Sequence, residues 1–212
     1  MNKTDGRRQR GERARAQVLE HATAIASTDG LEGLTIGRLA TDAGVGKGNI
    51  QVLFGDKETL QLSTLDAGVV HYREKVVKPA LALESPLARL RALTDGWFDY
   101  VASGASPGGC FVCAASYEYR ARPGAIQDRV RGHRESVRAR FRETITAAQA
   151  AGELRADVDV DQLVFEIESF RSNANVAFLM GDMAVFERAR RSTQARIDAG
   201  APLAIVEPED YT

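Results

Sequence analysis

The 212-residue sequence predicts an all-α protein. Apolar residues recur at helical spacing over most of its length, and no strand-like alternation of useful length is present. Glycine and proline residues separate these periodic stretches, as at Gly44, Pro79 and Gly152. The apolar fraction of 44% is sufficient for a buried core, so the chain suits one compact protein of two helical parts.

Residues 34–57 have the pattern of two short helices joined by a glycine turn. Thr35 can cap the first helix, and Ile36, Leu39 and Ala43 give that helix one apolar face. Gly44 stands where a tight turn needs a positive φ. The second helix is predicted to begin at Gly46 or Lys47 and to run to about Phe54. This arrangement is that of a helix-turn-helix, which makes DNA the first partner to consider.

The second short helix has two chemically different faces. Ile50, Leu53 and Phe54 fall on one side, whereas the opposite side carries Lys47, Gly48, Gln51 and Val52, with Asn49 at the border. Glutamine and asparagine can pair with adenine, and an apolar side chain can contact a thymine methyl group. Glycine costs a helix about 1 kcal/mol relative to alanine, which makes sense if the backbone must approach a partner closely. The alternative is a small helical hairpin that serves only the fold.

Basic residues flank this unit. Asp56 is predicted to cap a long third segment, and Lys57 in its first turn could hold a DNA phosphate together with the helix N-terminus. Residues 1–15 carry six Lys or Arg residues against two acidic ones. We expect residues 1–10 to form a flexible basic arm, with Arg13 and Arg15 on the first helix as phosphate contacts. A merely solubilising terminus is an equal alternative for the first ten residues.

The remainder is predicted to be helical. The expected segments are 57–78, ending before Pro79, then 86–103, about 110–121, 124–151, 160–180 and 183–199. A loop at 104–109 interrupts them, and residues 201–212 form an acidic tail. The arginine-rich face of the segment 124–151 is interpreted as solvated, because the same segment has a clear apolar stripe.

With these features the sequence resembles the TetR family of bacterial transcription regulators. The resemblance covers roughly residues 10–60 and is carried by Gly30 with Leu34-Thr35, by Leu39-Ala40, by Ala43-Gly44-Val45, and above all by the run from Phe54 to Leu60, Phe-Gly-Asp-Lys-Glu-Thr-Leu. It implies a homodimer with a helix-turn-helix DNA-binding domain at 11–57 and a ligand-binding and dimerisation domain at 58–200. Many members carry an aromatic residue where this chain has Gln51, so the operator sequence cannot be transferred.

The resemblance also implies the roles of particular residues. It implies a repressor that binds a palindromic double-stranded operator and is released by a small, largely apolar effector, with the last two helices forming the dimer. The predicted DNA-contacting residues are Arg13, Arg15, Thr35, Lys47, Gly48, Asn49, Gln51, Val52 and Lys57. The predicted ligand-binding residues are Trp97, Phe98, Tyr100, Val101, Phe111, Tyr117, Phe170 and Asn173. Each of these aromatic residues could equally be ordinary core.

Other chemistries find little support in the sequence. Cys110 and Cys113 form a C-x-x-C, but the chain has two cysteines in all and its histidines lie far away, so two packed thiols are favoured over a redox or zinc site. We expect no catalytic residues, metal or cofactor. The absence of a long apolar run and of a secretory signal predicts a cytoplasmic protein. Two alternatives remain, namely a helical ligand-binding protein or enzyme without a DNA role and a sequence-nonspecific architectural DNA binder.

Overall fold

The structure of the chain is a computed structural model. It describes residues 3–104 and 106–201, and within the first helix the side chains of residues 3–8 and 10 fall outside this description. The first helix, α1, spans Lys3–Gly33 and is kinked at Gly30, where φ is 76° and ψ is 168°. The helix begins at Lys3, so the structure describes a helical backbone for residues 3–10, where the sequence predicted a flexible basic arm. The expected acidic tail lies outside the described residues apart from Ala201.

The helix-turn-helix is formed as predicted. Helix α2 spans Ile36–Asp42, and the Thr35 hydroxyl at its N-cap accepts a hydrogen bond from the Arg38 N–H at 3.1 Å. The chain turns at Gly44, whose φ is 64°, and continues as α3, Lys47–Phe54. A residue with a Cβ atom would be strained at that φ, which explains the glycine.

The long segment after α3 is continuous past Pro79. Helix α4, Lys57–Tyr72, leads into a π-helical turn, Arg73–Val77, and then into α5, Lys78–Leu81. The prediction that this segment ends before Pro79 is therefore wrong. Proline lacks an N–H and crowds the carbonyl four residues earlier. The wider π turn, in which the Lys78 N–H bonds to the Arg73 carbonyl, immediately precedes the proline.

Five further helices complete the described part of the chain. They are α6, Pro86–Ala102; α7, Phe111–Glu118; α8, Ala125–Ala150; α9, Val160–Leu179; and α10, Met183–Asp198. Helix α7 ends three residues earlier than predicted, and Tyr119 leaves the helix with φ of −102° and ψ of 10°. Helices α9 and α10 pack against each other, joined by a short turn at Gly181 with φ of 75°.

The predicted domain boundary at residue 57 does not coincide with a boundary between the buried cores. One apolar cluster joins the inner faces of α1–α4 to residues of α7 and the start of α8, among them Phe111, Ala115, Tyr119 and Val130. Two further clusters lie in the C-terminal part, one around Leu90 and Ile145 and one around Trp97 and Phe186. Helix α7 is therefore shared between the two halves. Within the described ranges, no helix is long and apolar enough to cross a membrane.

Candidate DNA interface and ligand cavity

Helix α3 exposes the face that its sequence predicts. Ile50 and Phe54 are buried in the core shared with α1, whereas Lys47, Gly48, Asn49 and Gln51 are exposed. The fifth residue of that face, Val52, is 86% exposed, although it is apolar. Val52 therefore lies outside the core, on the same exposed face as Lys47, Asn49 and Gln51.

Thr35 and Arg13 are also available at the surface. Both residues are exposed, and the Thr35 hydroxyl already caps α2 through the N–H of Arg38. An open groove of about 480 Å³ runs between α1 and α3 and includes Asn49 and Val52 in its walls. Because the same side chains form the exposed face of α3, a molecule lying on that face would cover the groove.

Unlike Thr35 and Arg13, Arg15 is half-buried, and its guanidinium contacts other parts of the protein. Its guanidinium donates to the Leu53 carbonyl at 2.6 Å and to the Ser63 hydroxyl at 2.7 Å, and it lies 4.5 Å from the centroid of the Phe54 ring. A cation at the last carbonyls of a helix is favourable, since these oxygens have no partner within the helix. Arg15 thus ties α1 to the end of α3, which differs from the phosphate contact that the sequence suggested.

Lys57 has a protein partner as well. Its Nζ lies 2.9 Å from Oε2 of Glu32, whose other carboxylate oxygen accepts a 2.7 Å hydrogen bond from the Tyr119 hydroxyl. The hydrogen bonds from Tyr119 and Lys57 lower the pKa of Glu32, while burial and the neighbouring carboxylate raise that of Tyr119. Glu32 therefore connects the start of α4 to the end of α7, a contact that no local sequence pattern indicates.

A second carboxylate, that of Glu118 on α7, stabilises the kink in α1. After Gly30 the backbone N–H groups of Leu31 and Glu32 have lost their helical acceptors, and they donate to the two oxygens of Glu118 at 2.9 Å and 2.8 Å. On the other side, the buried Gln61 amide donates to the Leu31 carbonyl at 2.6 Å. A carboxylate at newly freed N–H groups acts as a helix cap supplied from a distant part of the chain.

A partly open cavity of about 450 Å³ lies between α4, α6, α7, α8 and α9, a volume within the range of small-molecule sites. Its walls combine aromatic, aliphatic and basic side chains. The lining residues are Asp66, Gly68, Val69, Val70, Tyr72, Arg73, Tyr100, Cys110, Phe111, Val112, His133, Ser136, Val137, Arg140 and Arg171.

The predicted ligand-binding residues are distributed over three environments. Tyr100 and Phe111 line the cavity. Trp97, Phe98 and Val101 are fully buried, and Phe170 packs against their cluster, so these four side chains serve as core. Tyr117 and Asn173 are exposed, because α7 and α9 turn them away from the interior. Helical spacing alone could not distinguish a residue beside a cavity from one beside a neighbouring helix.

The basic residues of the cavity were missed from sequence. Arg171 is 6% exposed; its guanidinium lies 4.7 Å from the Trp97 ring centroid and donates to the Tyr72 hydroxyl at 3.2 Å. Among the described residues no carboxylate pairs with Arg171, Arg140 or Arg73, whereas the nearby Asp66 is paired with Arg129 and with His133. The cavity therefore carries uncompensated positive charge. The signal in the sequence was one arginine, the only basic residue of segment 163–178, which is mostly apolar or small apart from Glu166, Glu168, Asn173 and Asn175.

The pKa values of the two tyrosines that line the cavity, Tyr72 and Tyr100, differ from that of a free tyrosine. Burial raises the pKa of Tyr100 to about 12 and also raises that of Tyr72, although the charge of Arg171 opposes the second shift. Both hydroxyls therefore stay protonated at neutral pH and can donate hydrogen bonds. The cavity thus offers neutral donors beside guanidinium groups.

Comparisons with known proteins agree with this architecture. The family profile described as "Tetracyclin repressor-like, C-terminal domain" matches residues 86–193. The chain is 36% identical over 87 residues to the HTH-type transcriptional regulator BetI of Yersinia pestis (strain Pestoides F), a match that covers 40% of this chain and 44% of that protein. The alignment thus spans less than half the length of this curated relative.

Solved structures match over much more of the chain. A TetR transcriptional regulator from Chloroflexus aurantiacus J-10-FL superposes with a TM-score of 0.84 at 24% identity, covering 92% of this chain and all of that one. AibR, solved in complex with isovaleryl coenzyme A and operator DNA, superposes with a TM-score of 0.61 at 20% identity, covering 74% of this chain and 84% of that one. The helix-turn-helix, the C-terminal profile and these folds together show that the chain belongs to the TetR family of transcriptional regulators, which are not enzymes.

Proposed function

We propose that this protein binds an operator in double-stranded DNA as a homodimer and releases it when an anionic effector enters the cavity. The observation that carries the DNA part is the exposed face of α3, where five of the six positions from Lys47 to Val52 are open to solvent while the sixth, Ile50, packs into the core. A helix presented in this way fits a major groove, and its side chains can distinguish base edges.

The predicted DNA-contacting residues fall into three groups: those that would contact bases, those that would contact the DNA backbone, and those that would hold the helices in place. Lys47, Asn49, Gln51 and Val52 would contact bases, with Gly48 allowing close approach of the helix backbone. Thr35 and Arg13 would contact phosphates. Arg15 and Lys57 would act by holding α1, α3 and α4 in place, since their charged groups already have protein partners.

The test is binding of the full-length protein to DNA from upstream of its own gene, measured by gel shift with nonspecific competitor. We expect a discrete complex that survives excess random DNA. Binding to random DNA with equal affinity would favour an architectural protein, and no binding to either would refute the DNA role.

The dimer is proposed to form on the outer face of α9 and the start of α10. Phe165, Val176 and Met180 are 64%, 39% and 80% exposed, and their spacing of 11 and 4 residues places them on one side of α9. Met183 of α10 extends this exposed surface. The exposed positions between Phe165 and Val176 on this side, Ser169 and Asn173, are polar, so the face combines large apolar side chains with polar ones, as protein interfaces do. A two-fold dimer would place two α3 helices about one DNA turn, ~34 Å, apart.

The charge of the cavity identifies the class of effector. A buried guanidinium without a carboxylate partner is costly, and an anionic ligand would offset that cost. We therefore propose an organic anion with an apolar body, such as a carboxylate, in place of the largely apolar effector that the sequence suggested. AibR, a structural relative, was solved with isovaleryl coenzyme A, an anionic ligand.

Arg140→Gln tests this proposal. Arg140 lines the cavity, is half-buried and pairs with no described carboxylate, so its loss should leave the fold intact. In a screen of short carboxylates and their neutral amides, we expect only carboxylates to raise the melting temperature and to lower operator affinity. The variant should bind the active carboxylate about 10- to 100-fold more weakly, the range for a charged hydrogen bond. Equal responses to the amides would argue against an anionic effector.

A further inference from the structure

Cys110 and Cys113 lie at the first turn of α7, and only Cys110 faces the ligand cavity. Cys110 is the N-cap residue of α7, and Cys113 is three residues further on. Both thiols are free and half-buried; Cys110 lines the cavity, while Cys113 lines a smaller recess behind it beside Arg134 and Glu168. A cysteine at a helix N-terminus with a second cysteine three residues later is the arrangement in which thiol and disulfide interconvert.

Three neighbours favour a negative charge on the Cys110 sulfur. The Cys113 thiol donates a hydrogen bond to it, and the guanidinium of Arg171 acts on it electrostatically. The fully buried indole N–H of Trp97 makes no hydrogen bond within the described residues, and it too favours the thiolate form of Cys110. The Cys113 hydrogen bond and, against the opposing effect of burial, the Arg171 charge hold the pKa of Cys110 well below its usual range. The same hydrogen bond and burial raise the pKa of Cys113.

The charges around the pair come from every packed element. Arg171 on α9 has no described carboxylate partner, so a Cys110 thiolate would be its counter-ion within the protein, and Arg73 and Arg140 would remain as the cavity cations for an anionic effector. Tyr72 on α4 and Tyr100 on α6 stay neutral, as their pKa values are raised. On α8, Arg140 lines the same cavity, and Arg134 lies beside Cys113 but is shared with Glu168. Cationic neighbours therefore predominate around the pair.

We propose that Cys110 and Cys113 are a redox-active dithiol that reacts with organic hydroperoxides entering the cavity. The Cys110 thiolate attacks the terminal peroxide oxygen, the O–O bond breaks, and the departing alkoxide takes a proton from water. Cys110 is then a sulfenic acid. The Cys113 sulfur attacks it, the S–S bond forms and water leaves. Two thiols are thereby oxidised to a disulfide, and the hydroperoxide is reduced to an alcohol and water.

The turn that carries Cys110 is wedged between the two halves of the molecule. The Gly108 N–H donates to the Ser27 hydroxyl of α1 at 3.1 Å, and the Cys110 N–H donates to Oδ1 of Asn175 of α9 at 2.6 Å. A Cβ atom on Gly108 would lie 1.4 Å from the Ser27 carbonyl oxygen, so α1 and this turn are in direct backbone contact. The opposite end of α7 carries Glu118, which caps the kink in α1.

Formation of the disulfide would therefore act on the DNA-binding unit from both ends of α7. Bonding the two sulfur atoms removes the Cys110 charge and reshapes the first turn of a helix of eight residues. We expect operator affinity to fall by about 5- to 150-fold, the usual range for coupling between sites. This DNA readout rests on the proposed function, whereas the thiol chemistry does not.

The chemistry is tested first on the full-length protein without DNA. Alkylation by iodoacetamide should reach half its maximal rate below pH 7, against about 8.5 for an ordinary thiol. Arg171→Lys should preserve this low midpoint and Arg171→Gln should raise it. Cumene hydroperoxide should remove both free thiols and two hydrogen masses from the native protein. Cys113→Ser should stop at a sulfenic acid that dimedone traps, and Cys110→Ser should keep its remaining thiol.

The regulatory part is tested by fluorescence anisotropy on operator DNA before and after the same treatment. Weaker binding after oxidation, reversed by dithiothreitol and absent in Cys110→Ser, would support the proposal. An ordinary alkylation midpoint, or retention of both thiols after hydroperoxide, would overturn it even if DNA binding is normal. A disulfide that leaves operator affinity unchanged would also overturn it. If neither redox state binds DNA, the proposed function fails while the thiol measurements still decide the chemistry.

Discussion

Single residues on α3 have separable tasks because each is held in a fixed direction by a buried neighbour. Asn49 and Gln51 carry the amide groups that can pair with a base edge, and Ile50 between them is buried. Below this helix, Arg15 and Lys57 show that a basic residue near a DNA-binding surface can be engaged within the protein. Their partners, the Leu53 carbonyl and Glu32, are separated from them by 38 and 25 residues.

Gln51→Ala should relax sequence specificity. A lost bidentate contact costs about 1–3 kcal/mol, so we expect operator affinity to fall by about 5- to 150-fold while affinity for random DNA is unchanged. Anisotropy titrations with both DNAs measure the two effects. In the comparison variant Arg13→Ala, both affinities should fall and the dependence on salt should become shallower. Equal losses on both DNAs for Gln51→Ala would contradict a base-reading role.

Gly30→Ala should destabilise the protein. The φ of 76° with ψ of 168° is a conformation that costs other residues about 1–3 kcal/mol, and a Cβ atom would lie 2.8 Å from the Glu118 carboxylate. Chemical denaturation measures the change in the free energy of unfolding. Gly11→Ala in the same helix, with no atom within 4 Å of the added carbon, should not destabilise the protein. Unchanged stability in Gly30→Ala would mean that the kink is not strained for alanine.

Helices α3 and α7 differ in the contacts that hold them in place. Helix α3 is short and begins without a side-chain cap, so its position depends on Ile50, Phe54 and the Arg15 contact at its C-terminal end. Helix α7 has eight residues too, yet it contacts α1, α4 and α8, and its end residues contact both the cavity and the kink. A short helix packed against three other helices is coupled to the positions of those helices, which suits a connection between two sites.

Gly48→Ala should separate helix stability from DNA binding. No atom lies within 4 Å of the added carbon in the free protein, so the substitution should stabilise the chain by up to about 1 kcal/mol. If the α3 backbone approaches DNA at this point, operator affinity should fall. The matched control is Gly132→Ala in α8, another open helical position, which should stabilise without affecting DNA binding. Full operator affinity in Gly48→Ala would show that the glycine serves no close approach.

At the scale of the whole molecule, the charge and the apolar surface are unevenly placed. The net charge is −1, so nonspecific attraction to DNA by the entire surface is not expected. The exposed apolar residues of α9 lie in the C-terminal part of the chain, whereas α3 belongs to the N-terminal unit. This separation would leave the α3 face of each subunit free in the proposed dimer.

Phe165→Glu combined with Met180→Glu should dissociate the proposed dimer. Both side chains are largely exposed in the single chain, so the monomer should stay folded while two charges oppose burial in an interface. Sedimentation at micromolar concentration should change from dimer to monomer, and operator affinity should fall with it. Leu83→Glu, an exposed apolar residue between α5 and α6, is the control and should stay dimeric. A wild-type protein that sediments as a monomer with and without DNA would refute the dimer.

The helix-turn-helix and its exposed face follow from local sequence signals. Thr35, Gly44, Asp56 and the period of Ile50 and Phe54 are local signals, since caps, turns and helix faces depend on residues within one or two turns. Their predicted positions agree with the structure to within a residue. The same local reasoning wrongly predicted a helix end before Pro79, because a π turn accommodates the proline within a continuous segment.

Contacts between side chains that are far apart in the sequence depend on the tertiary structure. Glu118 reaches Leu31 over 87 residues, and Arg171 reaches Tyr72 over 99 residues. Helical periodicity shows that Trp97 and Tyr100 face inward, but not that Trp97 meets core and Tyr100 meets a cavity. Such contacts depend on how helices cross, and crossing is fixed by the packing of the entire molecule rather than by any one segment. The positive cavity and the Cys110–Arg171 neighbourhood therefore emerge from the fold alone.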